Sequence, residues 1–203
     1  MTRPTILLAA LAAVALAVGL FLRSDGASQP PAVEASGGAA KAFLTNPAGA
    51  PVGVAKLTEE GGEVRVRVSV EGLPAGFHGF HVHTTGNCLP FATPPLATDP
   101  FGSAAGHFNP GGVSHGSHAG DLPVLLVNAD GTGEATFDTD RFAVADILAG
   151  DGSAFIIHAN PDNYANIPAR YLAPPATITA VDAATLGTGD AGGRIACGVI
   201  ERG

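Results

Sequence analysis

The sequence predicts an all-β domain, on three observations. Glycine and proline are abundant (28 and 16 of 203 residues), aromatics reach only 6% and tryptophan is absent, a balance that suits short strands and many turns over long helices. Glu63 to Val70 alternates strictly, with Val64, Val66, Val68 and Val70 on one face and Arg65 and Arg67 on the other, the pattern of a half-buried antiparallel strand. Short apolar runs of the same kind recur along the chain between turn-rich segments. With 46% hydrophobic and 14% charged residues, the chain can bury one real core.

The N-terminus stands apart from that domain. Arg3 precedes an apolar run from Ile6 to Leu22, and Arg23-Ser24-Asp25 ends it. Residues 1–23 read as an export signal or a short membrane anchor, so residues 6–22 are a possible membrane tether. Residues 24–40 are small, polar and broken by Pro30-Pro31, which makes them a linker. The folded domain is then expected over 41–203, outside the cytoplasm. A net charge of −8 argues against a nucleic-acid partner.

Within the domain, Val52–Leu57 and Glu63–Val70 flank Glu59-Glu60-Gly61-Gly62, a hairpin signal. Further strands are expected at Gly76–Thr84, Val124–Asn128, Gly133–Asp138, Ser153–His158 and Ile195–Glu201. Two long glycine- and proline-rich segments lie between them, Asn87 to Gly120 and Ala159 to Gly193. Loops of that length usually carry function.

The seven histidines give those loops a chemistry. His81 and His83 are two apart on a predicted strand, so both rings leave the same face. They are either half of a metal site or two residues on a solvent face. His107, His115, His118 and Asp121 gather in one glycine-rich loop, a donor set that suits tetrahedral zinc. His158 ends the apolar run Ala154-Phe155-Ile156-Ile157, where an unpaired ring would be costly. His78, three before His81, is expected on the opposite face in a structural hydrogen-bonding role.

Four segments then carry a family resemblance. Gly79-Phe80-His81-Val82-His83, Gly106-His107-Phe108-Asn109-Pro110, His118-Ala119-Gly120-Asp121-Leu122 and Gly193-Arg194-Ile195-Ala196-Cys197-Gly198-Val199-Ile200 resemble, in chain order, the signatures of the copper/zinc superoxide dismutases of the bacterial, exported type. The likeness runs from about Lys41 to Gly203. It implies an eight-stranded antiparallel Greek-key barrel or sandwich with two long functional loops. It also implies dismutation of superoxide to O2 and hydrogen peroxide at a copper that cycles between Cu(II) and Cu(I). His81, His83 and His158 match copper ligands, and His107 matches the histidine that bridges copper to zinc. His115, His118 and Asp121 match the remaining zinc ligands. Arg194 matches the arginine that guides the anion, and it shares the catalytic role with His107. Asp162 matches an aspartate linking ligands of the two metals, and Cys88 and Cys197 match a disulfide.

Copper, an electron carrier, is the catalytic metal on this reading, and zinc is structural. The spacing of His115 and His118 is short for a zinc loop. Convergence there needs a tight turn, which Gly116 permits, and zinc is expected to bind more weakly than copper. The segments 89–106 and 159–193 are enlarged, with Tyr164, Ile167, Tyr171 and Leu172 as a packed lid or contact surface. A non-enzymatic copper-binding or metal-delivery domain on the same scaffold is the alternative, since fold does not dictate function. Monomer and homodimer both stay open.

Overall fold

Residues 38–91, 99–167 and 183–203 are described by the computed structural model. The expected leader, nearly all of the expected linker, and Tyr171 and Leu172 lie outside them. Among the described residues ten strands form: β1 (Ala39–Thr45), β2 (Pro51–Glu60), β3 (Glu63–Val70), β4 (Gly76–His78), β5 (Phe80–His83), β6 (Leu125–Val127), β7 (Gly133–Thr139), β8 (Ala154–His158), β9 (Arg194–Val199) and β10 (Glu201–Arg202). Two short helices, α1 (Val144–Ile147) and α2 (Ala183–Thr188), accompany them. No helix among the described residues is long and apolar enough to cross a membrane.

One antiparallel sheet runs β5-β8-β9-β1-β2-β3-β7, with β10 added to β1, and β4 pairs β6 in a second. Gly79 leads β4 directly into β5, and a turn closed by Asn128 N–H on Thr132 O (2.7 Å) leads β6 into β7. Both edges of the large sheet therefore continue into the small one, and the whole curls into a barrel. Counting β4–β5 and β9–β10 as two interrupted strands gives the expected eight. β3 and β4 follow one another in sequence, yet β7 and β6 lie between them in space, which is a Greek-key connection.

Local chemistry explains the register. Gly61 and Gly62 both have positive φ (65° and 88°), as a two-residue hairpin turn requires, and Glu60 pairs Glu63 across it. The valines of β3 then face Leu57 and Ala55 on one side and Phe137 and Ala135 on the other. Phe80 fills the centre, stacked on Phe155 at 5.0 Å and edge-on to Phe137 at 6.5 Å.

Strand β1 carries no comparable signal, because Ala40 and Ala42 fill two of its three inward positions and alanine has little strand preference. The expected strand Gly76–Thr84 is interrupted at Gly79. That residue donates to Asn160 O and accepts from His158 N–H, each at 2.8 Å, so the strand exchanges its partner β6 for β8.

The outer face of β8 and β9 is covered rather than solvated. Phe101 and Ala104, from the enlarged first loop, pack with Ala154, Ile156 and Cys197, and Cys88 sits against them. Cys88 and Cys197 are joined by a disulfide with Cα atoms 5.7 Å apart. The loop is thus stapled over the last strand, and β8 is buried on both faces.

Candidate metal centre

Strand alternation sends Phe80 and Val82 of β5 into the barrel core and His81 and His83 to its outer face. Loop backbone pairs with the edge of β5 that β8 leaves free. Val82 N–H donates to Gly120 O (2.9 Å), Phe108 N–H to Val82 O (2.8 Å) and Gly120 N–H to Phe108 O (2.8 Å). This lattice sets His107 opposite His83 and Asp121 opposite His81. Gly120 has to be glycine, since a Cβ there would run into Val82 O. A β-bulge between Ile157 and His158 brings His158 into register with Arg194, turning the ring toward the same place.

The result is two groups of four donors that share one ring. His81, His83, His107 and His158 form the first, and His107, His115, His118 and Asp121 the second, each with its donor atoms within 4.8 Å of one another and all residues buried. The tautomers can be read from the partners. His83 Nδ1 faces Ala105 O at 2.8 Å and His158 Nδ1 faces Gly192 O at 3.0 Å. A carbonyl only accepts, so each Nδ1 carries the proton and each Nε2 is a bare lone pair. Those two Nε2 atoms face each other at 3.4 Å, an arrangement that repels unless a cation lies between.

Asp162 does the same for two more rings. Its carboxylate accepts from His81 Nε2 at 2.7 Å and from His115 Nε2 at 2.8 Å, leaving His81 Nδ1 bare and turning His115 Nδ1 toward Asp121 Oδ1 at 3.2 Å. His81 Nδ1 and His107 Nε2 are buried side-chain nitrogens without a hydrogen-bond partner among the described residues. In the second group Asp121 Oδ1 lies 2.9 Å from His107 Nδ1 and 3.2 Å from the Nδ1 atoms of His115 and His118, and His118 Nδ1 lies 3.4 Å from His107 Nδ1. A tetrahedron with metal–donor bonds of about 2.0–2.1 Å has edges of roughly 3.3 Å. Gly116 makes the tight turn with φ 84° and backs onto Tyr164 O.

Burial pushes His81 down to about 4 and His158 to about 3, and takes His83 well below its ordinary value. Those three rings are therefore neutral and ready to donate lone pairs at neutral pH. His115 goes the other way. Burial opposes its charge, but hydrogen bonds to Asp121 and Asp162 outweigh that and raise it to about 9. Burial alone would raise both aspartates, yet the imidazoles hydrogen-bonded to them hold each well below the carboxylate range.

Arg194 lines a cleft of about 390 Å³ together with His83, His107 and His158. Its Nη1 donates to Phe101 O at 2.5 Å and its Nη2 to Ala105 O at 2.7 Å. Both acceptors have positive φ (60° and 62°) although neither is glycine, a strain that recurs at functional sites. His78 is buried outside both groups, with its ring nitrogens at His158 O (2.7 Å) and Pro74 O (2.8 Å), the structural role expected of it. Sequence reasoning missed the carbonyls of Ala105 and Gly192, because a backbone carbonyl leaves no residue-type signature.

A β-barrel whose outer face carries two fused donor nests, joined through one imidazole and covered in part by a disulfide-stapled loop, has the ligand set of a protein that can hold two metal ions side by side. The chain belongs to the copper/zinc superoxide dismutase family, whose model matches residues 52–200. It is 40% identical over 180 residues to the superoxide dismutase [Cu-Zn] of Mycolicibacterium paratuberculosis, covering 85% of this chain and 79% of that protein. To the enzyme of the same name from Deinococcus radiodurans it is 34% identical, covering 92% and 93%. Among solved structures it resembles Cu/Zn superoxide dismutase from Brucella abortus (TM-score 0.61, 30% identity, 80% of this chain and 99% of that one). It also resembles a SOD-like protein from Bacillus subtilis (TM-score 0.60, 30% identity, 78% and 95%).

Proposed function

We propose that this chain dismutates superoxide, two anions and two protons giving O2 and hydrogen peroxide. His81, His83, His107 and His158 hold copper, and His107, His115, His118 and Asp121 hold zinc. The observation that carries the reading is the pair of Nε2 lone pairs of His83 and His158 facing each other at 3.4 Å, beside the unpartnered His81 Nδ1 and His107 Nε2. A nest of four imidazole nitrogens suits copper, and three imidazoles with a carboxylate suit zinc. Bound copper supplies the one-electron couple, and zinc supplies a fixed positive charge.

The protein residues do the rest. Arg194, pinned to the carbonyls of Phe101 and Ala105, holds its guanidinium at the cleft mouth to attract and orient the anion. His107 offers Nε2 to the copper nest and Nδ1 to the zinc nest, so its Nε2 is the atom that carries a proton toward peroxide. Asp162 holds the His81 and His115 rings in their donor tautomers from behind. All three roles use side chains already in place.

The disulfide supports a location outside the cytoplasm, with residues 1–23 as export signal or anchor, residues 24–40 as linker and residues 6–22 as the tether if the segment is retained. A non-catalytic metal-delivery role is disfavoured by a complete imidazole nest with Arg194 over its cleft. Metal analysis tests the ligand assignment. Wild-type protein loaded and dialysed should hold one copper and one zinc, and His158→Ala should lose copper while keeping its fold. A His158→Ala protein that retains copper and near-full activity contradicts the assignment.

A further inference from the structure

Arg141 lies outside both donor groups and outside every motif singled out in the sequence. It belongs to the connection between β7 and α1, and it reaches back to the zinc-side loop. Its Nη1 donates to His118 O at 3.1 Å and to Asp121 O at 3.3 Å. Those two residues are the first and last of one tight turn, closed by Asp121 N–H on His118 O (3.2 Å). Both also supply donor atoms to the second group.

The turn is held from two sides. On the metal side, Asp121 Oδ2 accepts the amides of Gly116 (2.7 Å) and His118 (2.9 Å), which leaves Oδ1 for the metal. On the far side, the turn borders a cleft of about 360 Å³ lined in part by Gly116, Asp121, Tyr164 and Arg141. There the Arg141 guanidinium is what bridges the turn's two ends. The base of that arginine is itself fixed. Its amide donates to Thr139 Oγ1 (3.3 Å), Thr139 pairs Val64 of β3, and Asp138 beside it is locked to Arg65 by two hydrogen bonds of 2.8 and 2.9 Å. At the other end of the connection, Val144 N–H is held by Glu59 of β2 at 3.0 Å.

We propose that Arg141 is a positioning residue for zinc, a clamp from the barrel wall that holds His118 and Asp121 at the separation the metal needs. The inference rests on the zinc assignment proposed above. With His115 and His118 only three apart, the loop has little chain of its own with which to brace the site. A guanidinium anchored on β7 supplies that brace from outside the loop. Hydrogen bonds from a charged donor are stronger than neutral ones, so their loss should show in how long zinc is held.

The test compares zinc release to a chromogenic chelator from the full chain loaded with both metals, for wild type, Arg141→Ala, Arg141→Gln and Arg141→Lys, with copper content followed in the same samples. Arg141→Ala should release zinc roughly tenfold faster or more, with copper retention unchanged and Arg141→Lys partly restored. If Arg141→Ala does not fold, the same ordering between Arg141→Lys and Arg141→Gln decides. Zinc release at the wild-type rate overturns the clamp, and so does an equal acceleration of copper and zinc loss, which marks general loosening. Wild-type protein that takes up no zinc overturns the ligand assignment beneath it.

Discussion

His81 and His115 hang from the same Asp162 carboxylate yet hold a proton very differently. His81 has one carboxylate partner in a fully buried setting and sits near 4, whereas His115 has two and sits near 9. In metal-free protein near pH 7, His81 and His158 are already neutral, so copper displaces no proton from them. His115 is protonated, and zinc must expel that proton to bind. As pH falls from 8 to 6, all of it below 9, zinc affinity should therefore drop by about one more factor of ten per unit than copper affinity does. Competition titrations at pH 6, 7 and 8 check this. Parallel slopes for the two metals would place the extra proton elsewhere.

Among the elements, the stapled first loop is the one on which the site leans. The carbonyls that fix His83 and Arg194 come from Phe101 and Ala105, both in the segment that the Cys88–Cys197 bridge holds against β9. The bridge closes a separation of 109 residues, worth about 4–5 kcal/mol in the chain-entropy picture. Reduction should lower Tm by roughly 10 °C or more and loosen Arg194 before the barrel melts. Differential scanning calorimetry with and without reductant measures the first. An unchanged Tm would deny the bridge any structural weight.

The same elements explain what could be read beforehand. β3 was plain because period-two valines survive in any context, and the histidine pair of β5 was plain because alternation places both rings on one face. β1 was hidden by its inward alanines, and the four- and six-residue helices are too short to show a period. The histidines proposed as ligands announce themselves by residue type. Their orientation depends on the Ala105 and Gly192 carbonyls, and those contacts, like the ones Arg141 makes to His118 O and Asp121 O, arise only when distant segments meet. The roles of Asp162 and the cysteines came from family resemblance rather than from spacing.

At the scale of the molecule, the charge works against the substrate. The chain carries −8 and superoxide is an anion, so the far field repels it. Arg194 lies at short range inside a walled cleft, where a charge's field is least screened. At physiological salt the Debye length is about 8 Å, which silences distant acids before it silences Arg194. If local focusing dominates, the second-order rate with superoxide should fall as salt rises, and Arg194→Glu should invert that slope. A wild-type rate that climbs with salt would show that net repulsion outweighs the arginine.

On the proposed function, the two fused donor nests sharing His107 make a superoxide-consuming centre. Following superoxide decay after pulse generation, in the presence of protein loaded with copper and zinc, tests it most directly. The predicted result is catalytic decay, first order in superoxide and in copper-loaded protein, that persists through many turnovers per copper. Protein carrying its full copper and zinc, with superoxide disappearing no faster than in buffer, would contradict the account.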